Sequence, residues 1–251
     1  VDSFADTMRC GLFDPKTQRA IIPRTDRHVK VSFGSFERFT SVNPPGAPGP
    51  TLADNPFIGP SPTGAHGDVP PIVVSFHGKQ ASGAWLLDTG AAASMISHAL
   101  AAKLGITYAP GTEGTTSPKL IGPAEKDQFA VTVGGIGGQK KSAGFFLDTL
   151  TLPTREKDPI VYQRAPVLVS DITVEDPKTH QKITLDGVLG MNYFVASAFV
   201  SESGLLPDIG KMSQGPYDWV VFDQPKAELG LKLKAALAPG GDGTIEIKPS
   251  H

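Results

Sequence analysis

The chain has a single cysteine, Cys10, so it holds no internal disulfide and none of the zinc patterns built on several thiolates. It also lacks a charge surplus. The 23 Lys and Arg residues stand against 25 Asp and Glu, a net −2, without the basic excess that a nucleic-acid binder turns toward phosphates. No run approaches the ~20 consecutive apolar residues of a membrane-spanning helix. The best, Val195 to Val200, is short and broken by Ser197. The six histidines (His28, His66, His77, His98, His180 and His251) show no metal-ligand spacing and no His-Glu-x-x-His, so neither a metal nor a cofactor is expected. Gly134-Gly135-Ile136-Gly137-Gly138 does not fit the Gly-x4-Gly-Lys-Ser/Thr spacing of a phosphate loop and reads as a β-turn. There is no Gly-x-Ser-x-Gly elbow to present a nucleophilic serine.

Against these absences stand 28 Gly and 23 Pro among 251 residues, a density of chain punctuation that argues against a helical bundle. With 39% hydrophobic residues the chain nonetheless has enough apolar material for a core. Residues 44–71 hold nine Pro and five Gly, which is linker chemistry. They suggest four parts: an N-terminal β-containing arm over 1–43, a Pro/Gly-rich tether over 44–70, a main lobe over 71–235 and a tail over 236–251.

The lobe reads as short strands. Pro71–Phe76, a turn at His77–Gln80 and Ala84–Leu87 form a β-hairpin, and Trp219–Phe222 pairs with Glu228–Leu233 in another. Further strands are expected at 129–133, 144–147, 166–169 and 182–185. Ser97 precedes the Ala- and Leu-rich His98–Leu104, closed by Gly105, which predicts one short capped helix. Gly11–Ile21 loosely repeats the strand, Asp-Pro turn, strand pattern of Val220–Leu229. Asp and Pro are favoured in such turns anyway. The other reading is that the first hairpin closes an equivalent lobe upstream.

The strongest chemical signal is Trp85-Leu86-Leu87-Asp88-Thr89-Gly90-Ala91-Ala92-Ala93-Ser94-Met95-Ile96. An apolar strand delivers a carboxylate into a tight turn of small residues, and Gly90 permits a backbone path that a Cβ would block. Downstream, Leu185-Asp186-Gly187-Val188-Leu189-Gly190 places an apolar pair before a glycine. Together the two segments resemble the retropepsin-like and pepsin-like aspartic peptidases, in which an Asp-Thr-Gly loop packs against a hydrophobic-hydrophobic-Gly strand. Pro71–Ile96, the helix at 98–104 and the hairpin at 219–233 extend the likeness over roughly residues 70–235.

The resemblance implies an all-β, acid-protease-type closed β-barrel lobe with one or two short helices. It implies Asp88 as the catalytic carboxylate, Thr89 as the hydroxyl that locks two active-site loops together, and Gly90 and Ala91 as the rest of the turn. Val188, Leu189 and Gly190 match the packing strand. A lid is implied between these segments, and Tyr108–Lys126, rich in Gly, Pro and Thr, corresponds to it; an ordinary surface loop is the plainer alternative. Charged insertions around 151–158 and 176–181 account for the long spacing between Asp88 and Gly190.

Such chemistry needs two carboxylates, because a close pair does not ionise fully: one stays protonated while the other activates water. The sequence holds one Asp-Thr-Gly. Asp148-Thr149 copies the pattern without the glycine, and Asp186 reads as a turn residue. The expected function is therefore an aspartic endopeptidase acting on peptides or proteins, its second carboxylate supplied by the Asp88 of a homodimeric partner or by an upstream lobe. The alternative is a non-catalytic structural or binding subunit that uses the lobe as a scaffold. A start at Val1 suits a processed mature form or a fragment, and a secreted or periplasmic location is expected.

Overall fold

The computed structural model describes residues 13–14, 19–20, 24–31, 68–88, 91–135, 138–175, 182–194, 216–223, 226–234 and 244–246. The strands are β1 (Phe13–Asp14), β2 (Arg19–Ala20), β3 (Arg27–Lys30), β4 (Asp68–Phe76), β5 (Lys79–Leu87), β6 (Met95–Ile96), β7 (Thr107–Tyr108), β8 (Leu120–Ile121), β9 (Gln128–Gly135) and β10 (Gly138–Leu152). They continue as β11 (Ile160–Val169), β12 (Thr173–Glu175), β13 (Lys182–Thr184), β14 (Gly187–Leu189), β15 (Tyr217–Asp223), β16 (Glu228–Leu233) and β17 (Thr244–Glu246). Among the described residues the helical elements are α1 (His98–Lys103) and two 3-10 turns at Pro123–Lys126 and Met191–Tyr193. None is long and apolar enough to cross a membrane.

Six strands close on themselves in the order β11, β6, β14, β5, β4, β10 and back to β11, so the fold is an all-β barrel. Closure leaves none of these six as an open edge. Sequence periodicity explains the filling. Along β5, Ala81, Trp85 and Leu87 point inward, while β10 contributes Phe145, Leu147 and Leu150 and β11 contributes Ile160 and Tyr162, all fully buried. Each large apolar side chain so buried contributes roughly 1.5–3 kcal/mol. Residues Ala165–Val169 of β11 are all buried, because the strand is covered on both faces there.

Helix α1 begins at Ser97, whose hydroxyl accepts the Leu100 N–H at 3.0 Å. Gly105 follows at φ +85°, a left-handed conformation that ends the helix cheaply only for glycine. A β-hairpin at 71–87 and a capped helix at 98–103 are thus present as the sequence predicts, with β5 longer by five residues.

The four parts read from the sequence are tied together at three places. Strand β3, in the arm, pairs antiparallel with β16, Leu229 facing Val29 and Leu231 facing Arg27. β4 starts at Asp68, inside the tether. β17, in the tail, pairs in parallel with β11. The physical reason is apolar: Leu229 and Leu231 are buried, and β3 with the residue after it brings Val29 and Val31, each 0% exposed, into the same core. Ion pairs reinforce this side: buried Arg27 with Asp158, Arg155 with Glu228, and Lys232 with Asp26 at 2.9 Å. The charged insertion at 151–158 is therefore a clasp on β3 and β16, while 176–181 lies outside the described residues.

The two hairpins with similar sequences share a register. In β1–β2, Phe13 faces Ala20 and Asp14 faces Arg19; in β15–β16, Phe222 faces Leu229 and Asp223 faces Glu228.

Candidate active site

β5 ends at Leu87, and Asp88 is the first residue beyond the strand, half-buried at the barrel end. Its position is set by the neighbour strand. β14 runs parallel to β5, Val188 beside Leu86 and Leu189 beside Leu87, and the Asp88 N–H donates to Leu189 O at 3.0 Å. Both Val188 and Leu189 are buried, so this end of the barrel is apolar. Gly187 lets the strands meet, since a Cβ there would lie 2.5 Å from the Trp85 indole.

Thr89 and Gly90 lie outside the described residues. The chain is described again at Ala91, whose N–H donates to Asp88 O at 3.2 Å and whose carbonyl accepts the Met191 N–H at 2.8 Å. Gly190 sits against this return. A Cβ on it would be 2.6 Å from the Ala93 backbone and 2.9 Å from Ala91 O. The Gly190 N–H donates to the Ser94 hydroxyl at 2.9 Å, and that hydroxyl donates to Asn192 Oδ1 at 2.7 Å. Ser94 O accepts the Leu168 N–H at 3.0 Å. Asp88, Ala91, Val188, Leu189 and Gly190 are thus brought together in one place.

The stretch expected as a lid is hydrogen-bonded at its base. Tyr108 lies tilted against the His98 ring, donates its hydroxyl proton to Val169 O at 2.8 Å and accepts the Ala143 N–H at 3.1 Å. Burial pushes this phenol's pKa up, so it remains a donor. β7 pairs with β8, and Thr112 Oγ1 closes the loop onto Ala109 O and Lys119 O. The element that faces the segment after Asp88 is the β9–β10 hairpin. Val131 joins Ala93 and Leu168 in a small apolar cluster, with Phe129, Val133 and Met95 packed against it. The β-turn read at 134–138 falls at its tip, where Gly135 faces Gly138 and residues 136–137 lie outside the described residues. The signal that marks this hairpin in the sequence is the pair of Gly-Gly steps around Ile136, preceded by Phe129, Val131 and Val133 at a period of two.

Two other carboxylates are occupied elsewhere. Asp148 accepts the His77 N–H at 2.7 Å, at the far end of β5, nine residues and so roughly 30 Å of strand from Asp88. Asp186 accepts the Ala84 N–H at 2.9 Å, and its carbonyl takes the Ser97 N–H at 2.9 Å, making it a brace between β5 and α1.

Two acidic groups away from the site face histidines. Asp171 accepts from His98 Nδ1 at 2.9 Å and from its backbone N–H at 2.9 Å; Glu156 contacts His28 Nδ1 at 2.6 Å and accepts its N–H at 3.0 Å. Burial alone would raise both carboxyl pKa values, but the hydrogen bonds and charge of the histidines more than offset it, and both are lowered. A lowered folded-state pKa stabilises the fold above the ordinary carboxylate range, and that stability is lost as pH falls through the lowered values. Each side chain is exposed by a third or more, so the effect is modest. The double variant Glu156→Gln/Asp171→Asn is expected to have a lower Tm than the wild type at pH 6 but a flatter decline toward pH 3. Parallel slopes in thermal scans would contradict this.

No protein-family model, curated protein or solved structure matches the chain.

Proposed function

We propose that the protein is an aspartic endopeptidase of the retropepsin-like kind, with Asp88 as one half of a two-carboxylate dyad completed by Asp88 of a second copy. The observation that carries the reading is the clamping of the Asp88 turn against Leu189 and Gly190, with an apolar hairpin packed over the residues that follow. The half-buried side chains of Met95, Phe129 and Val133 suit an apolar side chain of a peptide held beside Asp88.

In the reaction a water lies between the carboxylates. The ionised one accepts a proton from it as the water oxygen attacks the scissile carbonyl carbon, and the protonated one donates to the carbonyl oxygen. Collapse of the resulting diol breaks the C–N bond and passes a proton to the leaving nitrogen, giving one new carboxyl and one new amine. The dyad works with one proton shared, which predicts a bell-shaped pH profile.

A C2 pair is the simplest source of the second carboxylate, since symmetry places identical residues face to face. Asp148 and Asp186 serve backbone groups elsewhere in the fold. The common register of β1–β2 and β15–β16 supports the other source, an upstream lobe closed by the first hairpin. The engagement of both internal candidates also favours a scaffold role wherever the chain does not self-associate.

The test is incubation of the full chain with unfolded casein across pH 3–7. Cleavage blocked by a statyl-type inhibitor, with specific activity falling on dilution, is the expected result. A monomer by sedimentation that cleaves nothing would contradict it and leave the scaffold role.

A further inference from the structure

We infer that Ser94 and Asn192 are positioning residues for Asp88, an inference that rests on the peptidase reading. The turn after Asp88 is closed by the Ala91 N–H to Asp88 O at 3.2 Å, and the chain that returns from it has few side chains to hold it. Ala91, Ala92 and Ala93 carry no group able to hydrogen-bond through a side chain, so the first polar side chain in the returning chain is Ser94. Four consecutive residues reach across to this turn. Leu189 O takes the Asp88 N–H, the Gly190 N–H reaches Ser94 Oγ, the Met191 N–H reaches Ala91 O, and Asn192 Oδ1 takes the Ser94 proton.

Ser94 Oγ is the node of this set, because it accepts from Gly190 and donates to Asn192 at once. Its own backbone is fastened to β11 through the Leu168 N–H. Ser94 and Asn192 are 1% and 4% exposed, so water does not substitute for either bond. What Asn192 supplies is the acceptor that takes the Ser94 proton and so leaves the Ser94 oxygen free to accept the Gly190 N–H, and through Gly190 the register of the Asp88 turn against β14. Neither side chain needs to touch substrate. Their effect is to fix where the carboxylate stands relative to its partner across the dyad, where a displacement of about 1 Å costs on the order of 100-fold in rate.

The experiment compares full-length wild type, Ser94→Ala, Asn192→Ala, the double variant, Ser94→Thr and Asp88→Asn in peptide cleavage. Rates are expressed per active site titrated with a statyl-type inhibitor, so that any unfolded fraction drops out. Both alanine variants are expected to lose about 10- to 100-fold in kcat with KM within about threefold of wild type. The double variant is expected to be no slower than the slower single, since one network is broken in each case. Ser94→Thr, which keeps the hydroxyl, is expected to recover kcat to within about threefold. A purely structural role would lower the number of titrated sites and leave kcat per site unchanged. That result in both alanine variants, with Asp88→Asn inactive, would overturn the inference and leave the peptidase reading standing. An inactive wild type would overturn both.

Discussion

Asp88→Asn is expected to lower kcat for peptide cleavage by about three to four orders of magnitude, while Tm stays within a few degrees of wild type. Asparagine has the shape of aspartate, and the bonds that seat residue 88 in the turn, its N–H to Leu189 O and its carbonyl from the Ala91 N–H, are main-chain bonds that the substitution keeps. What disappears is the negative oxygen that takes the proton of the attacking water. Under the scaffold reading the same substitution changes nothing that an activity assay measures. Retained cleavage of unfolded casein by Asp88→Asn would assign the activity to another site or to a contaminant.

The largest expected effect on stability comes from Gly190→Ala. The φ of Gly190 is −85°, a value any residue adopts, so backbone strain plays no part. The difficulty is space. The new Cβ would stand 2.6 Å from the carbonyl carbon and oxygen of Ala93 and 2.9 Å from Ala91 O, all backbone atoms that no rotamer change moves aside. Relief requires the Asp88 turn and β14 to separate, which strains the Ser94 and Met191 hydrogen bonds. A loss of about 3 kcal/mol is expected, together with a fall in kcat of about 100-fold. Gly78→Ala is the control: its φ is +75° with nothing within 4 Å of the new Cβ, so it tests conformation without crowding and is expected to cost about 1 kcal/mol. Urea titrations in which the two variants lose equal stability would show that close approach at Gly190 is not what constrains the turn.

The parts of the fold legible in the sequence are those set by near neighbours. The hairpin of β4 and β5 follows from alternating apolar residues around His77-Gly78, and α1 from Ser97 and Gly105 at its ends. Pairings between distant segments carry no local signature. Nothing in Arg27–Lys30 announces Glu228–Leu231 as its partner, and only a shared core containing Val29, Val31, Leu229 and Leu231 reveals why the arm belongs with the lobe. The site divides in the same way. Asp88 and the Val188-Leu189-Gly190 strand stand out by residue type and order. The expected lid rests on a content of Gly, Pro and Thr that equally describes a surface loop, and the bonds of Tyr108 and Thr112 at its base are not legible in that composition. Ser94 and Asn192 gave no signal at all, because small polar residues are mostly exposed and their burial is a property of the folded chain.

The most direct measurement mixes the wild type with Asp88→Asn at a fixed wild-type concentration and allows subunits to exchange before cleavage is assayed. If two copies of Asp88 form one dyad, each mixed pair carries a single catalytic carboxylate. Activity per wild-type chain then falls as variant is added, to about half in an equal mixture. Activity per wild-type chain that stays constant at every ratio, with exchange verified by sedimentation, would contradict a dyad shared between copies.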